Sequence, residues 1–148
     1  MKQPLFGSEE LLEKVLKHLG PSRPPRLIGI DGPDGLGKTS LASWLAWQIG
    51  APSLHLDMYL ITGSDTLQWR TDCLQTVVTT RLDERAKPLI VEGVMLLDVL
   101  ARIGRKTDFL AYVDGEGSDS LSTLLADYRA RCDPMGRANF HLKGYEQP

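Results

Sequence analysis

The sequence predicts an α/β fold: a parallel sheet with helices on both faces, built as a single domain over residues 1–148. Three observations lead there. Short apolar strand candidates alternate with helical patterns along the chain, the order that builds βαβ units. Gly32-Pro33-Asp34-Gly35-Leu36-Gly37-Lys38-Thr39 matches the pattern G-x-x-x-x-G-K-[ST] without a gap, and it lies between a strand candidate and a helix candidate. Pro88-Leu89-Ile90-Val91-Glu92-Gly93 is apolar on both faces, as strands buried in a parallel sheet are.

The elements follow in order. Ser8 is placed to cap a helix from Glu9 to Leu19, with two acids in its first turn. Leu11, Leu12, Val15, Leu16 and Leu19 form its apolar face, and Gly20-Pro21 ends it. This helix precedes the glycine loop and is read as packing. Ser22-Arg23-Pro24-Pro25 is a stiff connector into the first strand, Leu27 to Asp31. Ser40 to Ile49 reads as a helix, with Leu41, Ala42, Leu45, Ala46 and Ile49 on one stripe. Gly50-Ala51-Pro52 stops it, and Ser53 to Asp57 is a second strand ending on an acid. Residues 58–65 read as a loop. Thr66 is placed to cap a long helix running to about Arg85, with Leu67, Leu74, Val77, Val78 and Leu82 on one face. Residues 88–93 form the third strand, Val94 to Ile103 a short helix, and Phe109 to Asp114 the fourth strand. Ser118 or Asp119 caps a final helix with Leu121, Leu124, Leu125 and Tyr128 inward. Asp133-Pro134-Met135-Gly136 breaks it, and the tail from Arg137 to Pro148 is polar and mixed.

Composition narrows the function classes. Hydrophobic residues at 42% and charged residues at 24% suit an ordinary globular chain with one core. A net charge of -2 gives no basic footprint for nucleic acid. No apolar run approaches the ~20 residues that span a bilayer. Met1-Lys2-Gln3-Pro4 lacks the apolar stretch of a secretory signal. Cys73 and Cys132 form no metal or redox spacing, so reduced thiols in a cytoplasmic protein are expected.

The glycine loop carries the chemistry. Its glycines let the backbone curl so that successive N–H groups point at phosphate oxygens, and the helix that follows adds its positive end. Gly32, Asp34, Gly35, Leu36, Gly37, Lys38, Thr39 and Ser40 are therefore the expected nucleotide contacts. Lys38 would reach the β- and γ-phosphates of ATP, and the Thr39 hydroxyl would ligate Mg²⁺. Asp34 is unexpected in such a cradle, because an anion there repels the ligand unless it points outward. Ligands on open parallel sheets bind beyond the carboxyl ends of the strands, which singles out the strand-end acids. Glu92 closes the third strand; if that strand neighbours the first at about 4.8 Å, its carboxylate lies near the metal that Thr39 holds. Asp57 closes the second, where it is placed to orient an acceptor hydroxyl and take its proton. Tyr59 is a candidate for the acceptor pocket. Arg70, Asp72 and Trp69, at the start of the long helix, are further candidates for substrate contact. Arg129, Arg131 and Arg137 surround the Asp-Pro-Met-Gly turn and would neutralise charge on a transferring phosphate from a closing segment over about residues 118–137. His18, His55 and His141 form no ligand cluster and are assigned no role.

Residues 28–39, Leu56-Asp57-Met58-Tyr59 and Ile90-Val91-Glu92-Gly93 together resemble the uridine kinase-like group of P-loop kinases, which includes nucleoside, pantothenate and phosphoribulose kinases. The resemblance runs from about Arg26 to Arg137. It implies a P-loop NTPase fold of the nucleoside/nucleotide-kinase branch, Asp57 as base, Glu92 near the metal, and Tyr128-Arg129-Ala130-Arg131 into Arg137 as the lid. The expected reaction moves the γ-phosphoryl group of ATP, with Mg²⁺, onto a hydroxyl of a small metabolite. A nucleoside comes first among acceptors, a pantothenate-like or sugar acceptor second. A non-catalytic nucleotide-binding module is the rival from another class. No nucleic-acid or membrane partner is expected, and an oligomer is left open.

Two departures from the group stand out. The region between Tyr59 and Thr66 is short, and the further strand expected after the lid, with its adenine-contacting loop, is missing from the sequence reading. Only four strands are counted, which leaves Phe109 to Val113 as an uncharged apolar edge, an aggregation hazard. The expectation is therefore that the tail from His141 or a second subunit covers this edge, or that the natural chain continues beyond Pro148, the last being preferred.

Overall fold

The computed structural model describes residues 3–63 and 66–145. The expectations that touch Met1, Lys2, Asp65 and Glu146 to Pro148 lie outside the described residues. Five parallel strands form one sheet: β1 (Leu27–Asp31), β2 (Ser53–His55), β3 (Leu89–Gly93), β4 (Phe109–Asp114) and β5 (Phe140–Lys143). They run in the order β2-β3-β1-β4-β5. The helices are α1 (Ser8–Leu19), α2 (Lys38–Ile49), α3 (Thr71–Thr79), α4 (Leu96–Arg102), α5 (Ser122–Cys132) and the single turn α6 (Pro134–Arg137).

Strand alternation sorts the core into two layers. Ile28, Ile30, Ile90, Phe109, Ala111 and Val113 face one way and meet Leu11 and Val15 of α1 and Leu41 and Leu45 of α2. Leu27, Leu89, Val91 and Leu110 face the other way and meet Leu74 and Val78 of α3, Leu96 and Leu100 of α4, and Leu125 and Tyr128 of α5. The helices thus cover both faces of the sheet, as predicted. β1 lies at its centre, buried along its whole length. Its carboxyl end, from which the glycine loop departs, therefore sits between the ends of β3 and β4.

The four-strand count is corrected. β5 pairs in parallel with β4 in the register Ala111↔Phe140, Tyr112↔His141, Val113↔Leu142 and Asp114↔Lys143. It covers the β4 edge, and the tail does what the first of the three alternatives asked. The strand was hidden because it is four residues long and buries only Leu142. His141 and Lys143 are exposed on this outermost strand, which is how natural sheets blunt an edge.

Other boundaries move for local reasons. The helix expected from Thr66 begins at Thr71. Leu60 and Trp69 form an antiparallel bridge, Ile61 N donates to Gln68 O at 2.8 Å, and Arg70 N donates to Tyr59 O at 2.7 Å. Residues 68–70 are thereby committed to extended pairing, and Leu67 lies off the helix. α3 then leaves by one turn of π-helix over Thr80–Glu84. β2 stops at His55, and Asp57 sits in a 3₁₀ turn, Leu56–Tyr59. Ser8 does not cap α1; its hydroxyl turns back to donate to Leu5 O at 2.6 Å. Leu124 is 44% exposed, not inward. Asp133 does not simply break α5 but caps α6, accepting from Gly136 N at 3.1 Å.

Candidate phosphate-binding and acceptor cleft

The glycine loop runs from the end of β1 into α2, whose first residue is Lys38. No acidic residue occupies the first turn of α2, so its positive end is left for an anion. Two glycines are required by the geometry. Gly32 has φ +146°, and a Cβ there would lie 2.2 Å from Val113 O. Gly37 has φ +96°, and a Cβ there would lie 2.6 Å from the Tyr145 ring. The loop is thus seated on the end of β4 and beneath Tyr145, two residues beyond β5. Leu36 is buried, and its carbonyl accepts from Tyr145 N at 3.2 Å. Gly35, Thr39 and Ser40 are exposed on the loop and the first turn of α2.

Lys38 is 6% exposed, and its Nζ donates to Pro33 O across the loop at 2.5 Å. Burial lowers the pKa of its ammonium, and the charges of Glu92, Asp31, Asp34 and Asp57 oppose that shift. Asp34 is half-buried, and its carboxylate accepts from Ser118 N at 3.1 Å.

Glu92 is 3% exposed and stands beside the loop because β3 neighbours β1, pairing Ile30 with Glu92. The Thr39 hydroxyl donates to Glu92 Oε1 at 3.0 Å. His55 Nδ1 lies 2.9 Å from the same oxygen. Sequence reasoning gave His55 no role. The signal was present in the pairing of β2 with β3, which sets His55 opposite Glu92, but it requires a register that composition does not disclose.

Asp57 is exposed at the mouth of a cleft of about 190 Å³. Lys38, Thr39, Glu92 and Asp34 line one side of that cleft, while Leu56, Leu60, Leu67, Trp69, Val94 and Leu121 form an apolar wall. Trp69 is 5% exposed there, with the Arg102 guanidinium 5.7 Å from its ring centroid. Tyr59 and Arg70 are outside this lining. Tyr59 packs with the α3 side of the core, where burial raises its pKa. Arg70 Nη1 donates to Leu60 O at 2.8 Å and so ties down the loop that carries the wall.

The three arginines part company. Arg129 lies in a groove with Pro33, residues 115–119 and Leu125, and its charge opposes the burial that raises the Tyr112 pKa. Arg131 forms a two-pronged pair with Asp98 at 3.2 and 2.9 Å and a further bond to Asp127 at 2.7 Å. Arg137 Nη1 donates to Cys132 O at 3.4 Å, and the side chain lines a separate groove beside α4. In this structure Arg131 is held by Asp98 of α4 and Arg137 lies in the groove beside α4, so neither is engaged at the glycine loop.

Asp31, at the root of the loop, is buried and bonded on all sides. It accepts from Gly32 N at 2.8 Å, Leu96 N at 3.4 Å and the Tyr128 hydroxyl at 2.5 Å. Burial raises its pKa, and these donors and Lys38 oppose the rise. The Tyr128 hydroxyl in turn accepts from Leu97 N at 3.0 Å, and burial together with the Asp31 charge pushes its pKa far up. One phenol thus ties α5 to the root of the loop and to the start of α4. Tyr128→Phe should cost about 1–3 kcal/mol of stability, because it strands a buried N–H and removes a donor from a buried carboxylate. Urea denaturation checks this; an unchanged midpoint would show that the network carries no net stability.

Among the described residues no group of three or more His, Cys, Asp or Glu side chains could hold a metal by itself. The donor set present is a hydroxyl and a carboxylate, hard oxygens at the edge of a phosphate loop. That fits Mg²⁺, which keeps several waters and takes one or two protein oxygens alongside phosphate oxygens. No helix among the described residues is long and apolar enough to cross a membrane.

No protein-family description and no curated protein matches the sequence. Solved structures do match. A possible uridine kinase from Bacillus stearothermophilus superposes with a TM-score of 0.64 at 20% identity, over 91% of this chain and 96% of that one. A gluconokinase from Sinorhizobium meliloti 1021 superposes with a TM-score of 0.54 at 16% identity, over 84% and 86%. With its five-stranded parallel sheet, glycine loop and flanking helices, the chain has the fold of these P-loop small-molecule kinases.

Proposed function

We propose that this protein is an ATP-dependent kinase that phosphorylates a hydroxyl of a small, uncharged metabolite, a nucleoside before other acceptors. The observation that carries the reading is one cleft in which Lys38, the Thr39–Glu92 pair and Asp57 face an apolar wall containing Trp69. Phosphoryl transfer asks for positioning and charge neutralisation more than for covalent catalysis, and these residues supply both. The loop N–H groups and Lys38 hold the β- and γ-phosphates, while Thr39 and Glu92 hold the metal and its waters. Bound Mg²⁺ supplies positive charge to the phosphate oxygens. Asp57 orients the acceptor hydroxyl and takes its proton as the new O–P bond forms and the bond from the γ-phosphorus to the ADP oxygen breaks. Arg129, which shares a groove with Pro33 of the loop, is the arginine for charge on the transferring group. The groove between residues 114–117 and 143–145, beside the seated loop, is the place for the nucleotide base.

The wall bears on the acceptor. Lys38, which serves the phosphates, is the sole cation among the described residues that line the cleft. A carboxylate acceptor such as pantothenate or gluconate would find no guanidinium there to pair with. A planar, uncharged body can lie against Trp69 and the leucines.

An ADP-release assay with nucleosides, neutral sugars, pantothenate and gluconate tests the reading. Turnover with an uncharged acceptor and none with the carboxylates is expected. A second reading, a nucleotide-binding module without turnover, is favoured by Arg131 and Arg137 not being engaged at the loop. Tight nucleotide binding with no ADP release from any acceptor would select it.

A further inference from the structure

Glu92 is the least exposed carboxylate on the cleft wall, and its orientation is imposed by two neighbours acting on one oxygen. Oε1 receives the Thr39 hydroxyl at 3.0 Å and faces His55 Nδ1 at 2.9 Å. Oε2 makes no hydrogen bond among the described residues. A carboxylate only accepts, so His55 donates from Nδ1, and its Nε2 lies 3.3 Å from Ser53 Oγ, accepting from it in the neutral ring. The chain of contacts therefore runs Ser53, His55, Glu92, Thr39. It crosses from the outermost strand β2 through β3 to the first turn of α2.

The direction of these bonds matters for the metal. A hydroxyl that ligates Mg²⁺ offers a lone pair, so its proton must point elsewhere, and Glu92 Oε1 takes it. That same oxygen needs a second donor to fix the carboxylate plane so that Oε2 faces the cleft. His55 is the side chain that supplies it. Groups that orient metal-binding residues from behind typically cost roughly 10–100-fold in metal affinity or activity when they are removed.

We infer that His55 is a positioning residue for the metal site: by donating from Nδ1 to Glu92 it fixes the carboxylate, and through it the Thr39 hydroxyl, for a nucleotide-bound divalent cation. The inference rests on the reading of Thr39 and Glu92 as the metal-holding pair. It predicts a division between two conservative replacements. In His55→Asn the amide nitrogen stands where Nδ1 stood and can still donate to Glu92. In His55→Gln the amide nitrogen stands near the former Nε2, keeping the Ser53 side and losing the Glu92 side.

The test is a Mn²⁺ titration followed by the electron paramagnetic resonance of the free ion, at saturating ADP, on wild type, His55→Asn, His55→Gln, His55→Ala and Glu92→Gln. ADP affinity without metal and the urea midpoint are measured on each. Mn²⁺ affinity is expected to fall roughly 10–100-fold in His55→Ala and His55→Gln and to stay near wild type in His55→Asn, with metal-free ADP affinity unchanged in the three His55 variants. Equal Mn²⁺ affinity in His55→Asn and His55→Gln, or wild-type affinity in His55→Ala while Glu92→Gln is weakened, overturns the role of His55. Wild-type affinity in Glu92→Gln itself overturns the underlying reading of the metal pair instead. Should His55→Ala fold poorly, the Asn and Gln variants, equal in polarity, still decide the matter.

Discussion

Asp57→Asn should leave nucleotide affinity nearly unchanged and lower turnover by roughly 10²–10⁴, the range for loss of a general base. The side chain sits in the 3₁₀ turn after β2, exposed at the mouth of the cleft. It is close enough to Lys38 for its charge to favour the ammonium. Asn keeps the size and one oxygen but cannot take a proton from an acceptor hydroxyl. The main-chain role of this position, in which Asp57 O accepts from Leu60 N at 3.3 Å, survives the change. The acceptor wall therefore stays in place, and KM for the acceptor should move much less than kcat. The measurement is a pair of steady-state profiles with an isothermal titration of a nonhydrolysable ATP analogue on each protein. Full activity in Asp57→Asn would mean that the proton leaves by another route and that Asp57 has been assigned wrongly.

The parts of this site that were legible in the sequence are those written in consecutive residues. Eight adjacent positions, Gly32 to Thr39, specify the loop, and their placement between an apolar strand and a helix needs no tertiary information. Glu92 and Asp57 were legible one step further out, because a parallel sheet sends ligands to the ends of its strands. His55 was not legible. Its partnership with Glu92 depends on the register Ser53↔Ile90 between strands separated by about one helix and a loop. The arginines show the converse failure. Arginines around the Asp-Pro-Met-Gly turn match the lid that the family resemblance implies, yet Arg131 is drawn to Asp98 on α4, far away in sequence and near in space. The fold was legible in its alternation of strands and helices, and illegible where elements are short. Phe140–Lys143 has a single buried side chain to announce it, and the start of α3 was displaced by backbone pairing around Trp69 that no propensity encodes.

Lys38 offers the strongest test of the loop itself. Lys38→Ala should weaken nucleotide binding by about 1.5–3 kcal/mol, the range for a hydrogen bond to a charged group. The larger value is the less expected one, for a reason visible in the structure. In the free chain the Lys38 ammonium is already satisfied by Pro33 O at 2.5 Å. Phosphate binding therefore exchanges one bond for a stronger, charge-assisted one and does not create a bond from nothing. The electrostatic setting works in the other direction. Lys38 is buried among Glu92, Asp31, Asp34 and Asp57, whose charges sustain its ammonium against desolvation. Removing it leaves Glu92 and Asp57, which line the same cleft, facing a phosphate with no cation between them. Lys38→Met keeps the aliphatic stem and removes only the charge, so it should bind nucleotide as weakly as Lys38→Ala while losing less stability. Trp69 on the cleft wall gives an intrinsic fluorescence signal for the titration. Affinities equal to wild type in both variants would remove Lys38 from the site, and a loss confined to Lys38→Ala would assign it a packing role in place of a phosphate contact.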